Sequence, residues 1–117
     1  MSLPKLLLHL EGGVVLVGAL AAYAYLGANG WLFVALLLAP DLSALGYLAG
    51  PRVGSVAYNL AHTYAWPALL LGIGFAAGAP LVLSLGWIWA AHIGMDRLVG
   101  YGLKYPTAFK DTHLGRV

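Results

Sequence analysis

Four apolar stretches separated by short turn-forming breaks leave this chain few folds. They run roughly from Leu6 to Ala28, Trp31 to Ala49, Val53 to Ala77 and Pro80 to Leu103. Each is close to the ~20 residues that carry a helix across ~30 Å of hydrocarbon. The breaks fall at Asn29-Gly30, at Gly50 to Arg52 and at Gly78 to Pro80, and all three are turn signals. Connections this short force neighbouring helices to run antiparallel. The expected fold is therefore an all-α membrane protein, a four-transmembrane-helix up-down bundle in one domain over 1–117, with a polar tail over 104–117. A barrel does not fit, because the runs lack two-residue alternation and exceed strand length.

Composition fixes the solvent. The chain is 62% hydrophobic and 9% charged, where a soluble domain carries about 25% charged residues. Most of it therefore belongs in lipid. The net charge is +2 and the basic residues do not interleave on one segment, which argues against nucleic-acid binding. No cysteine is present, so thiolate metal sites, disulfides and cysteine nucleophiles drop out. The opening MSLPKLLLHLEGG has the basic and apolar parts of a signal peptide. Glu11 interrupts it and no small-residue cleavage site follows, so it reads as the start of the first helix.

The basic residues set the orientation. Lys5 precedes the first span, Arg52 lies between the second and third, and Arg97, Lys104, Lys110 and Arg116 gather at or after the end of the fourth. The other two loops have no Lys or Arg, so the positive-inside rule puts both termini and the Arg52 loop in the cytoplasm. Trp31 and Trp87 mark the opposite boundary, and Tyr101 and Tyr105 the cytoplasmic one.

The polar residues inside the spans fall at one level. At about 1.5 Å per residue, Glu11, Asp41, His62, His92 and Asp96 all lie roughly 10–16 Å from the cytoplasmic boundary. Tyr58 and Asn59 fall just below His62. A charge near the bilayer centre costs at least ~2.5 kcal/mol on insertion scales, and intramembrane ionisable residues are functional by default. Brought together in the bundle interior, these groups satisfy one another, a metal or trapped water. His92 and Asp96 are four apart on one helix face. Pro40 removes a backbone donor beside Asp41 and frees a carbonyl that needs a polar partner.

Asp41, His62, His92 and Asp96 are thus the candidate metal ligands, two imidazoles and two carboxylates that suit zinc first, and manganese or iron also. Glu11 is a candidate further ligand or general base, and Arg97 a candidate anion binder. Tyr58, Asn59 and His113 are possible additions, His113 by folding the tail back over the site. The competing reading is that the same polar groups only lock helices together by hydrogen bonds. His9 and Lys5 are expected to snorkel to headgroups, and Gly72, Gly74 and Gly78 to permit close helix packing.

Two segments, APDLSALGYLAGPRVGSVAYNLAHTYAWP and AAHIGMDRLVGYGLKYPTAFKDTHLG, closely resemble the bacterial membrane family called domain-of-unknown-function family 4260. The resemblance covers Leu36 to Gly115. It implies an integral membrane fold and carries no assigned activity; the expected location is the bacterial cytoplasmic (inner) membrane. A looser pattern is Pro40-Asp41, then His62-Thr63, then His92 with Asp96. It is similar to membrane-bound metal-dependent hydrolases related to the LexA-binding inner-membrane protein family. That likeness implies hydrolysis of a lipid phosphoester. The chain departs from it where Tyr58-Asn59 replaces the first His-Arg of the HRGxTHS signature.

The expected function is a small inner-membrane metalloprotein that hydrolyses a lipid or amphipathic (phospho)ester, with membrane lipids as partners and a homo-oligomer as a possible state. Two other classes use the same residues. One is a proton- or ion-conducting or transporter subunit relaying through the carboxylates and histidines. The other is an assembly protein with a helix-locking network, and a haem held by two histidines is a further variant.

Overall fold

The computed structural model describes residues 1–117. It is all helical, with a single isolated bridge between Lys104 and Thr112. The first span is α1 (Leu3–Leu26). It starts before the expected Leu6 because the Ser2 hydroxyl accepts the Lys5 N–H at 3.2 Å and Pro4 sits in the first turn. Gly27, at φ 71°, ends it.

The second and third spans are broken rather than continuous. The second is a short helix, α2 (Gly30–Leu36), followed by a 3-10 segment (Ala39–Ala49) with Pro40 in its first turn. Eleven residues of 3-10 helix is long for this geometry. The third span is α3 (Pro51–Ala61) and α4 (Ala65–Ala77), interrupted at His62 to Tyr64. Pro67 explains that interruption. A proline ring clashes with the carbonyl four residues earlier, here Thr63, and brings no N–H of its own.

The fourth apolar stretch forms α5 (Pro80–Val99), which packs on both α1 and α4. It ends at Gly100, not at the expected Leu103. Gly100 adopts φ 100°, and the N–H of Tyr101 returns to the Asp96 carbonyl at 2.7 Å. Ten residues of α5 are buried, among them His92, Asp96 and Arg97. It packs most extensively on α1, then on α4, while the 3-10 segment packs on α3. The α1–α5 contact is glycine to glycine. A Cβ on Gly94 would stand 2.7 Å from the Gly12 carbonyl oxygen, too close to exist. Small residues at this crossing let the backbones approach.

Burial runs inside out. Only 23 of 117 residues are buried, and Ser55, His62, Ser84, His92, Asp96, Arg97, Lys104 and Thr112 are among them. Large apolar side chains such as Val14, Trp31, Leu48 and Phe75 point outward. That inversion fits a lipid solvent and is unfavourable in water. Three stretches are long and apolar enough to cross a membrane: Leu3–Leu26, Gly30–Ala49 and Pro51–Ala77. α5 has the length but not the composition, because it carries the interior polar groups that the other helices shield.

The tail is folded. A short helix, α6 (His113–Arg116), follows a Thr112 cap, and Leu114 is 1% exposed. Asp111 accepts from Arg116 at 2.8 and 2.6 Å and from the Thr107 hydroxyl. Arg116 and Thr107 hold the Asp111 carboxyl down to about 2.

Candidate metal centre

The two helix breaks make the site. In an unbroken helix the N–H of Asp41 would bond to the Leu37 carbonyl. Here it bonds to Leu38 at 3.0 Å, and the Leu37 oxygen accepts from His92 Nδ1 at 2.6 Å instead. The third span repeats the exchange. The N–H of His62 moves to the Asn59 carbonyl at 3.1 Å, and the released Tyr58 oxygen accepts from the ring of His62 itself, Nδ1 at 2.7 Å. The two carbonyls just beyond are taken by α5. Ala61 accepts from Trp89 Nε1 at 2.6 Å and His62 accepts from Arg97 Nη2 at 2.9 Å. The freed backbone acceptors are thus matched with donors, as a buried break demands.

These bonds fix the imidazole tautomers. A carbonyl only accepts, so Nδ1 carries the proton in both rings and the neutral Nε2 is bare. Both bare nitrogens point into one space. His62 Nε2 and His92 Nε2 are 3.1 Å apart. Asp41 Oδ1 is 3.2 Å from the first and 3.1 Å from the second, and Asp96 Oδ2 is 3.4 and 3.2 Å away. Both rings and Asp96 are buried, while the Asp41 side chain is 49% exposed and forms the open side. Asp96 Oδ2 has no hydrogen-bond donor.

Such a set repels itself: lone pair faces lone pair with a formal charge of two carboxylates. A cation reverses every one of these contacts. Four ligand atoms about 2.0–2.1 Å from one ion in a tetrahedron stand roughly 3.3 Å from one another. The distances here run from 3.1 to 3.4 Å between histidines and carboxylates, and all four atoms lie within 4.8 Å of one another. Asp41, His62, His92 and Asp96 could therefore hold a metal ion, with backbone carbonyls orienting both imidazoles from behind, as outer partners of metal-binding histidines do.

The other expected site residues divide. Tyr58 belongs to the support: its ring stacks on His62 at 3.7 Å and 6°. Asn59 clamps the tail, donating to the Lys104 carbonyl at 2.8 Å and accepting the Lys104 N–H at 2.6 Å. Arg97 bonds to the carbonyls of His62 and Tyr101, so it secures the break and the turn after α5. Glu11 is not in the ligand set. It is exposed and lines a separate groove of about 510 Å³ with Tyr64 and Arg97. His113 also stays outside. Its Nδ1 accepts the Leu103 N–H at 2.8 Å.

The sequence reading missed two features. Pro67 signals the break that orients His62, yet the apolar run around it reads as one helix. Lys104 and Lys110 line a cavity of about 610 Å³ together with Asp41 and Asp96. Only the fold reveals this, because the tail reaches α3 through Asn59. On the other side of the 3-10 turn, Ala39 and Pro40 line an apolar cleft of about 330 Å³ with Leu36, Leu70, Leu85, Ile88 and Trp89.

Outward apolar surface and an interior two-histidine, two-carboxylate set define a helical membrane-type protein with a candidate metal centre. No curated protein and no solved structure matches the chain. The chain belongs to the family described as Domain of unknown function (DUF4260), whose model matches residues 5–117.

Proposed function

We propose that this chain is a four-span inner-membrane metalloprotein, both termini cytoplasmic, that hydrolyses a lipid or amphipathic (phospho)ester. The observation that carries the reading is the pair of bare Nε2 atoms, 3.1 Å apart, facing two carboxylate oxygens. A helix-locking network would put a donor opposite each acceptor. A single proton on one imidazole relieves that ring's own contacts and leaves the other ring's contacts with the carboxylates repulsive, whereas one divalent cation relieves all of them. The two-nitrogen, two-oxygen donor set favours zinc, with manganese or iron as alternatives.

A divalent ion held there acidifies water and polarises an ester oxygen. The chain's own residues do the rest. Asp41 faces the cavity, so reactants meet the site from its side. Lys104 and Lys110 supply positive charge in that cavity. The apolar cleft behind Pro40 suits the hydrocarbon part of an amphipathic substrate. Glu11 lines another groove, so the base role expected of it passes out of the reading.

Elemental analysis of the purified full chain tests this. The expected result is about one metal per chain, falling to near zero in His62→Ala and His92→Ala, because losing one of four ligands breaks a closed set. A wild-type protein without metal overturns the reading. Proton flux in vesicles from such a metal-free protein would support the relay class instead.

A further inference from the structure

Lys104 is 8% exposed, yet its ammonium makes no hydrogen bond and no ion pair within the chain. It lies 3.6 Å from the Phe109 ring centre and 4.5 Å from that of Tyr58, in cation–π contact with both, while the Asp96 and Asp41 carboxylates attract it from further off. Its placement is built. Asn59 grips both the N–H and the carbonyl of Lys104, and the bridge to Thr112 holds the other side. One side-chain amide thus fixes the backbone, and two rings set edge to face steer the side chain. Burial lowers the pKa of this ammonium. A buried cation with no carboxylate in hydrogen-bond reach is costly, and a bound anion would offset that cost.

The cavity that Lys104 lines also contains Lys110 and the two metal-site carboxylates. We propose that Lys104, with Lys110 beside it, forms an anion subsite that binds the phosphate group of the substrate next to the metal centre. The inference rests on the proposed metal centre for the placement of the reacting group, but not for the lysine contact. Phosphate is the chemistry that uses both parts, since its oxygens can reach an ammonium on one side and a cation on the other. It could belong to a lipid headgroup or to a free phosphate.

Binding is measured by calorimetry on the full chain in phosphate-free detergent, with inorganic phosphate and with dihexanoyl phosphatidic acid as probes. Metal content is measured on the same samples. Lys104→Met keeps the stem between the rings and removes the charge, and Lys104→Arg restores the charge. The expected result is a roughly tenfold or greater loss of affinity in Lys104→Met at unchanged metal content and melting temperature, with Lys104→Arg close to wild type. Tighter binding of the short-chain lipid than of phosphate identifies a headgroup; equal binding identifies the free anion. If Lys104→Met binds both probes like wild type while metal is retained, the subsite is overturned and the metal centre stands. If the wild type holds no metal, the metal reading falls. In that case Lys104-dependent phosphate binding keeps the subsite, and its absence overturns it. Should Lys104→Met not fold, Lys110→Met must weaken binding alone, and wild-type affinity there overturns the proposal.

Discussion

Tyr58 is the residue on which the two halves of the site meet. One face of its ring lies flat on His62 and the ring also sits beneath the Lys104 ammonium. The hydroxyl takes no part in either contact, so Tyr58→Phe should leave metal affinity nearly unchanged. Tyr58→Ala removes the stack that orients an imidazole and should weaken metal binding about 10- to 100-fold, the range seen for lost outer partners of metal ligands. Competition against a chromogenic chelator would read this out, and equal affinities in the two variants would remove Tyr58 from the support. His113 gives a prediction in pH. Burial, and then the charge of Arg97, lower its pKa. The neutral ring accepts the Leu103 N–H through Nδ1, the atom that protonation would occupy. A folded-state pKa below the unfolded ~6.5 means the unfolded chain takes up protons first as pH falls. The stabilisation is therefore complete above about pH 6.5 and declines as pH drops through that value towards the folded pKa. Faster amide exchange at Leu103 at pH ~5 than at pH ~8, after correction for intrinsic rates, is the expected sign.

At the scale of elements, the two breaks matter more than the helices. Trp89 fills the carbonyl that the third-span break leaves at Ala61. Trp89→Phe keeps an aromatic ring and removes the donor, stranding a part-buried oxygen. The expected cost is about 1–3 kcal/mol, read as a lower melting temperature in detergent with metal content partly reduced. The break at Pro40 was legible in the sequence, because proline beside an intramembrane aspartate requires a freed carbonyl to find a partner. The break before Pro67 was not. Pro67 sits in a strongly apolar run, and hydropathy alone favours one long helix. Only packing against α5 shows that Trp89 and Arg97 are there to receive the opened carbonyls. The meeting of four polar side chains was legible for the opposite reason: Asp41, His62, His92 and Asp96 are costly in lipid unless they cluster. Lys104 was hidden because a lysine after the last apolar run reads as a surface charge, and nothing local says that Asn59, 45 residues earlier, draws it inward.

For the whole molecule, the ordering of polarity from outside to inside follows from α5 being wrapped by its neighbours. The chain lacks cysteine, so single cysteines can map its orientation. Gly30→Cys, where an added Cβ meets nothing, should react with an impermeant maleimide added outside intact cells. Arg52→Cys and Ala108→Cys should react only after permeabilisation, as the basic residues on that side dictate. Labelling of all three from outside would refute the four-span arrangement.

The carbonyls of Leu37 and Tyr58 bring one more consequence. An oxygen that serves a ring nitrogen is withheld from the amide one turn further along. Straightening either span would therefore strip an imidazole of its anchor, and turning either ring would invite the backbone to close up. The breaks in the spans and the aim of the histidines are tied together through these two carbonyls, so an ion taken up at the centre would also hold the spans in their broken form.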